Sequence, residues 1–225
     1  MENCLYISKV NISRDSEFFI YDINYPIIKL KKEYICQEKF DLYVINEINN
    51  KIYKDVLDFK NNTKLEAKEY KKLYDTKISK ECKECVKYKY EVYINYEATY
   101  DRNRIISIPM TKYKFSGGAH GMTYLESYNY DLLTGEMLKL KDLFREGVNY
   151  KKLINDFIRE EIMKEPEKYF KDDYGFKGIS EDQSFYIDED GIVIYFPLYE
   201  ISPYYVGIPK FKLKFKDYKK YLKYK

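Results

Sequence analysis

The chain has 225 residues, enough to bury one large core or two small ones. Its 40 basic side chains nearly balance 37 acidic ones, and a net charge of +3 leaves no nucleic-acid footprint. No run approaches the ~18 apolar residues that span a bilayer, and Met1-Glu2-Asn3-Cys4-Leu5 lacks the regions of an export signal, so the chain as written reads as soluble.

The glycines divide the chain: all nine lie between Gly117 and Gly207, so long regular elements are expected first and turns later. Residues 5–30 pattern as extended structure, with Pro26 ending or edging a strand. Val44, Ile45, Ile48, Ile52 and Val56 then recur at spacings of three and four, the stripe of a helix whose other face carries Asn49, Asn50, Lys51 and Lys54. A second, mostly charged helical run is expected at about 64–74. Residues 86–100 alternate as a half-buried strand, and Asp101-Arg102-Asn103 turns into another at 104–108.

In the second half, residues 122–130 read as a strand. Leu133-Thr134-Gly135-Glu136 reads as a tight turn into a strand at 137–140, followed by a short helical turn from Lys141. A helix is expected at about 150–164, with Ile154, Ile158 and Ile162 four apart and Pro166 as its stop. A hairpin at 185–195 turns around Asp188-Glu189-Asp190-Gly191, and residues 211–215 form the last strand. The pattern predicts an α+β fold of two small subdomains, 1–110 and 111–225. Each has antiparallel sheet packed against one or two helices.

Few residues invite chemistry. Cys82-Lys83-Glu84-Cys85 is a C-x-x-C pair, but zinc wants four ligands, and only Cys4, Cys36 and His120 could add to it. A strand pattern after the pair argues against a thioredoxin-like site. Disulfides, for example Cys36 with one of the pair, are expected in an exported protein and reduced thiols otherwise. Asp188-Glu189-Asp190-Gly191 fails the calcium-loop spacing, since Tyr199 stands at the twelfth position. No metal and no cofactor is implied.

His120, the one histidine, sits in the loop Ser116-Gly117-Gly118-Ala119-His120-Gly121. A hydrolase would use Ser116 as nucleophile and His120 as base. The spacing is not that of a nucleophile elbow, and no acid has a motif-defined place. The other reading is that the glycines supply positive φ and the imidazole bonds backbone. A second loop, at 199–209, carries Pro203, Tyr204, Tyr205 and Pro209. Prolines stiffen it, and exposed tyrosines would be interface anchors there; covering one end of the core is the alternative.

These two loops carry a family resemblance, together with Asn129-Tyr130-Asp131-Leu132-Leu133-Thr134-Gly135-Glu136, Leu140-Lys141-Asp142-Leu143-Phe144 and Phe185-Tyr186-Ile187. They resemble the C-terminal domain of RsiV-type anti-sigma factors. The first half, with Asn24-Tyr25-Pro26 and Ile45-Asn46-Glu47-Ile48, resembles the domain preceding it there and in PdaC-type polysaccharide deacetylases. The resemblance implies two α+β domains outside the membrane of Gram-positive bacteria, where the RsiV region is a receptor for lysozyme. It implies a non-enzymatic binding module of the cell envelope, for a protein such as lysozyme or a peptidoglycan-type glycan. Ser116, Gly117, Gly118, His120, Pro203, Tyr204 and Tyr205 are the expected contacts. The chain shows no sigma-binding segment or deacetylase domain, and Tyr205 and Val206 replace smaller residues common in the family. A small hydrolase and a purely structural domain are the alternative readings.

Overall fold

Asp41 opens the longest element. Its carboxylate accepts from the Tyr43 N–H at 2.8 Å and caps helix α1 (Leu42–Leu73). The structure, a computed structural model, describes residues 5–31, 40–82 and 84–223, so Cys4 and Cys36 lie outside the described residues. The two helical runs read from the sequence are one helix of 32 residues. Neither glycine nor proline interrupts it, and at the polar Asn61-Asn62-Thr63 step Thr63 is buried on the packed face with its hydroxyl satisfied by the Phe59 carbonyl at 3.2 Å. The buried stripe runs Ile45, Ile48, Ile52, Val56, Thr63, Ala67; Val44 is half-buried and lies off it. Each large aliphatic on that stripe contributes about 1.5–3 kcal/mol by leaving water.

The chain divides into two compact units: Met1–Tyr96 with Met110–Tyr124, and Glu97–Pro109 with Leu125–Lys225. The division expected at 110/111 falls within a strand. The strands, in chain order, are β1 (Leu5–Asp15), β2 (Phe19–Leu30), β3 (Tyr90–Tyr96), β4 (Tyr100–Arg102), β5 (Ile105–Phe115), β6 (Met122–Asp131), β7 (Phe185–Ile187), β8 (Gly191–Tyr195) and β9 (Lys210–Lys214). The fold is α+β, as the pattern predicts.

In the first unit, β1 and β2 form a long hairpin registered from Leu5↔Leu30 to Asp15↔Ile20. β3 lies parallel to β2, from Phe19↔Tyr90 to Ile23↔Ile94, and antiparallel to residues 110–115 of β5. This parallel pair departs from the all-antiparallel expectation, because α1 is a crossover that returns the chain in the same direction. The β2–β3 pairing ends at Ile23, so Pro26 sits where β2 has strand pairing only to β1. Beyond it, Asn49 of α1 replaces the missing strand. Its Oδ1 accepts from the Ile28 N–H and its Nδ2 donates to the Ile28 carbonyl, both at 2.9 Å. Asn49 therefore belongs to the packed side of α1, not to the solvent face that its polarity suggested.

Strand β3 begins four residues later than the alternation predicts. The Tyr70 hydroxyl donates to the Val86 carbonyl at 3.2 Å and accepts from the Tyr88 N–H at 3.1 Å, which ties this stretch to α1. A disulfide joins Cys82 to Cys85 where the chain turns back from the helix. Phe18, Tyr74, Tyr88 and Tyr90 gather around Tyr70 with ring centroids 5.5–6.1 Å apart.

In the second unit, helix α2 (Tyr150–Lys164) is capped by Asn149, which accepts from the Lys152 N–H, and ends before Pro166. It buries Ile154 and Ile158 against a core shared with the antiparallel sheet β7-β8-β9. The strand expected at 137–140 is a single bridge, Tyr130↔Met137, leading into a 3₁₀ turn, Leu140–Leu143. Leu140 and Leu143 are both buried, and a 3₁₀ turn puts residues three apart on one face. A buried polar relay fixes β7. The Ser107 hydroxyl donates to Asn129 Oδ1 at 2.6 Å and accepts from the Ile187 N–H at 2.9 Å, while Asn129 Nδ2 donates to the Phe185 carbonyl at 2.8 Å.

Candidate functional site

The loop that follows β5 lies in the first unit, and the proline–tyrosine loop lies in the second. The residues singled out in the sequence therefore fall in two places, one on each unit.

In the first, Ser116 leaves β5 with its hydroxyl donating to Glu66 Oε2 at 2.8 Å. Lys114, two residues earlier on the same strand, reaches both oxygens of Glu66, at 2.9 and 3.2 Å. Burial pushes the Glu66 carboxyl up, but the hydrogen bonds of Lys114 and Ser116 and the lysine charge outweigh it and hold it below the ordinary range. Lys112, earlier on the same strand, is buried against Asp55 and over the Phe59 ring, about three and two turns before Glu66 on α1. Glu66 thus anchors the loop to α1 from a position 50 residues away in sequence.

Glycine is required at two places here for different reasons. Gly117 has φ +88°, and a Cβ there would stand 3.2 Å from the Tyr88 ring. Gly121 is buried, and a Cβ would come within 2.4 Å of Tyr113, so only glycine lets the chain lie on that ring. Gly118 and His120 are exposed between them, and His120 Nδ1 stands 2.9 Å from the Gly121 carbonyl. A carbonyl oxygen only accepts, so Nδ1 is the donor in that contact. The single proton of the Ser116 hydroxyl goes to Glu66 and not to His120. Glu66, stabilised as a carboxylate by Lys114, is a weak base for activating an alcohol. The arrangement positions a loop.

In the second unit, Ile201 and Ser202 are buried, and the Ile201 carbonyl accepts from the Phe170 N–H at 2.9 Å. Pro203, at φ −65°, leads into a 3₁₀ turn, Tyr204–Val206, and Gly207 closes it at φ +79°. Tyr199, just upstream, holds φ +67°, a conformation uncommon for a bulky residue, and its ring stacks on Tyr204 with centroids 5.6 Å apart. Tyr205 is 75% exposed. Buried anchors, proline, glycine and the strained Tyr199 together hold three tyrosines at the surface with little left to order on binding.

Of the seven residues singled out in the sequence, Ser116, Gly117, Gly118 and His120 share one loop and Pro203, Tyr204 and Tyr205 the other. Sequence reasoning missed Glu66, Lys114 and Tyr113, which carry no motif; Tyr199 was read as part of its loop, but no residue type announces its positive φ. The acidic turn at Asp188 and Asp190 is held by Lys212, whose ammonium pairs with both carboxylates and is pushed up to about 12 by them.

Comparison with known proteins follows the same two halves. Residues 12–123 match the family described as deacetylase PdaC, and residues 141–216 match DUF3298, a family of proteins of unknown function. The chain is similar to the PdaC- and RsiV-type proteins. It is 26% identical over 204 residues to the peptidoglycan-N-acetylmuramic acid deacetylase PdaC of Bacillus subtilis, covering 89% of this chain and 38% of that protein. It is 33% identical over 131 residues to the anti-sigma-V factor RsiV of the same organism, covering 54% of this chain and 45% of that protein. The chain thus spans less than half of either relative. The PdaC match runs through residue 123 and takes in the Ser116 loop, which the sequence resemblance had assigned to the RsiV-like C-terminal half. The fold is shared with a DUF3298 family protein of Bacteroides fragilis (TM-score 0.70, 20% identity, 98% of this chain and 95% of that one). It is also shared with one of Pseudomonas aeruginosa (TM-score 0.60, 15% identity, 97% and 94%).

Proposed function

We propose that this chain is a non-catalytic binding module of the bacterial cell envelope that recognises a protein such as a lysozyme. The observation that carries the reading is the preorganised loop at 199–207, which presents Tyr199, Tyr204 and Tyr205 on a backbone fixed by Pro203, Gly207 and the buried Ile201 and Ser202. Rigid aromatic anchors of this kind dominate binding energy in interfaces. Ser116, Gly117, Gly118 and His120 form a second proposed contact, and a peptidoglycan-type glycan is the competing ligand. The relatives named for peptidoglycan deacetylation and for anti-sigma activity support an envelope setting outside the cytoplasm. The Cys82–Cys85 disulfide supports an oxidising compartment. No helix among the described residues is long and apolar enough to cross a membrane.

The test is capture of lysozyme, with soluble peptidoglycan fragments in parallel, by the immobilised chain. Tyr204→Ala and Tyr205→Ala are expected to weaken capture about tenfold or more, roughly 1.4 kcal/mol or above, at unchanged melting temperature. Undiminished capture by both variants, or a loss that only tracks melting temperature, sinks the reading. The hydrolase alternative predicts ester or glycan turnover that His120→Ala abolishes.

A further inference from the structure

A cavity in the second unit lies apart from both loops. It has a volume of about 320 Å³, at the small end of the roughly 300–1,000 Å³ typical of ligand sites. Its floor is aliphatic: Ile105, Ile187, Ile192 and Leu222. The rings of Tyr100 and Phe215, 6.4 Å apart and edge to face, form a wall. Burial pushes the Tyr100 phenol up, so at neutral pH it lines the wall uncharged.

The mouth has the opposite character. Arg102, Lys216 and Lys219 all line it, against one carboxylate, Glu189. Arg102 and Glu189 stand 4.0 Å apart with both side chains mostly in water, a pair that contributes little. Among the described residues, Lys216 and Lys219 have no ion-pair partner. Asp217, on the same turn, is not among the lining residues. An apolar chamber with an excess of cations at its opening complements one ligand chemistry: a short alkyl or acyl chain ending in an anion.

We infer that this cavity is a binding site for a small amphipathic anion, a medium-length acyl chain bearing a carboxylate or phosphate. The chain fills the aliphatic floor, and the head group lies between Lys216, Lys219 and Arg102. The site takes one such molecule per chain, and the lysines give it its preference for anions over neutral amphiphiles.

Calorimetric titration of the intact chain with octanoate, octyl phosphate, 1-octanol and butyrate tests this. Octanoate and octyl phosphate are expected to bind once per chain, with a negative heat-capacity change and weakening as salt rises. Whichever of the two binds more tightly identifies the head group. Butyrate, which has the charge but little chain, is expected not to bind. The double variant Lys216→Glu/Lys219→Glu alters only exposed side chains and is expected to weaken octanoate by about tenfold while leaving octanol unchanged. Ile192→Phe, with folding checked by its melting temperature, is expected to block both. Absence of saturable octanoate binding, a stoichiometry well above one, equal binding of butyrate, or octanoate affinity unaffected by the charge reversal would overturn the proposal.

Discussion

Glu66 shows how one side chain ties a surface loop to the core of its unit. It is a partly buried carboxylate held by the Lys114 ammonium and the Ser116 hydroxyl, and those bonds keep its pKa below the ordinary glutamate range. A depressed folded-state pKa stabilises the protein above the unfolded value, and that contribution is lost as pH falls through the folded one. The Ser116 anchor is therefore expected to hold at neutral pH and to release only below the normal range of a glutamate. Carboxyl NMR titration should place the Glu66 midpoint below the 4.5 of an unperturbed glutamate. In Glu66→Gln the acid-induced change at the Ser116 and Gly117 amides should disappear. A midpoint at or above the ordinary value would mean that burial outweighs the two donors. None of this was visible in the sequence, where Glu66 is one of many charges on a helix that reads as surface. The loop's irregular backbone was legible from its glycines, of which Gly117 and Gly118 do take positive φ. Their packing partners, Tyr88 and Tyr113, were not, since only the folded register brings them under the loop.

At the scale of elements, α2 was read to its ends because two local signals agree, isoleucines four apart and Pro166 as stop, and the Asn149 cap seen in the structure fits the same start. Helix α1 was read as two, a stripe ending at Val56 and a charged run at 64–74, whereas Thr63 and Ala67 carry its buried face onward without a large aliphatic to announce it. Strand β3 starts late for a similar reason, since the Tyr70 hydroxyl takes up backbone groups that alternation assigns to a ladder. The junction of α1 and β2 offers a direct test. Asn49 satisfies both backbone groups of Ile28, and Asn49→Ala leaves them without that partner in a partly buried setting. Such a loss costs about 1–3 kcal/mol, to be read as a lower urea midpoint with unchanged slope and faster amide exchange at Ile28. Asn49→Asp keeps the acceptor for the Ile28 N–H and removes the donor to its carbonyl, so its amide protection should fall less than in the alanine variant. Equal exchange in all three proteins would show that the side chain is not the strand substitute.

On the scale of the whole molecule, neither unit is continuous in sequence. The first takes residues 110–124 back from beyond an excursion at 97–109, and the second begins with that excursion. The returning segment completes the first unit: it carries Lys112 to Asp55, Lys114 and Ser116 to Glu66, and Tyr113 to its register partner Tyr93. A chain ending at residue 110 keeps α1 and the β1–β2–β3 core but leaves the 110–115 edge of β3 unpaired and Asp55 and Glu66 without their lysines. The sequence pattern put the division at 110, whereas the contacts put residues 110–124 with the first unit, and expressed fragments separate the two. Fragment 1–124 is expected to show a cooperative thermal transition and a dispersed amide spectrum, and fragment 1–110 neither. Cooperative folding of 1–110 would instead place the module boundary at 110, where the sequence pattern put it. It would also make the Ser116 loop a property of the second module, so that both proposed contact loops would come from one separately folding piece.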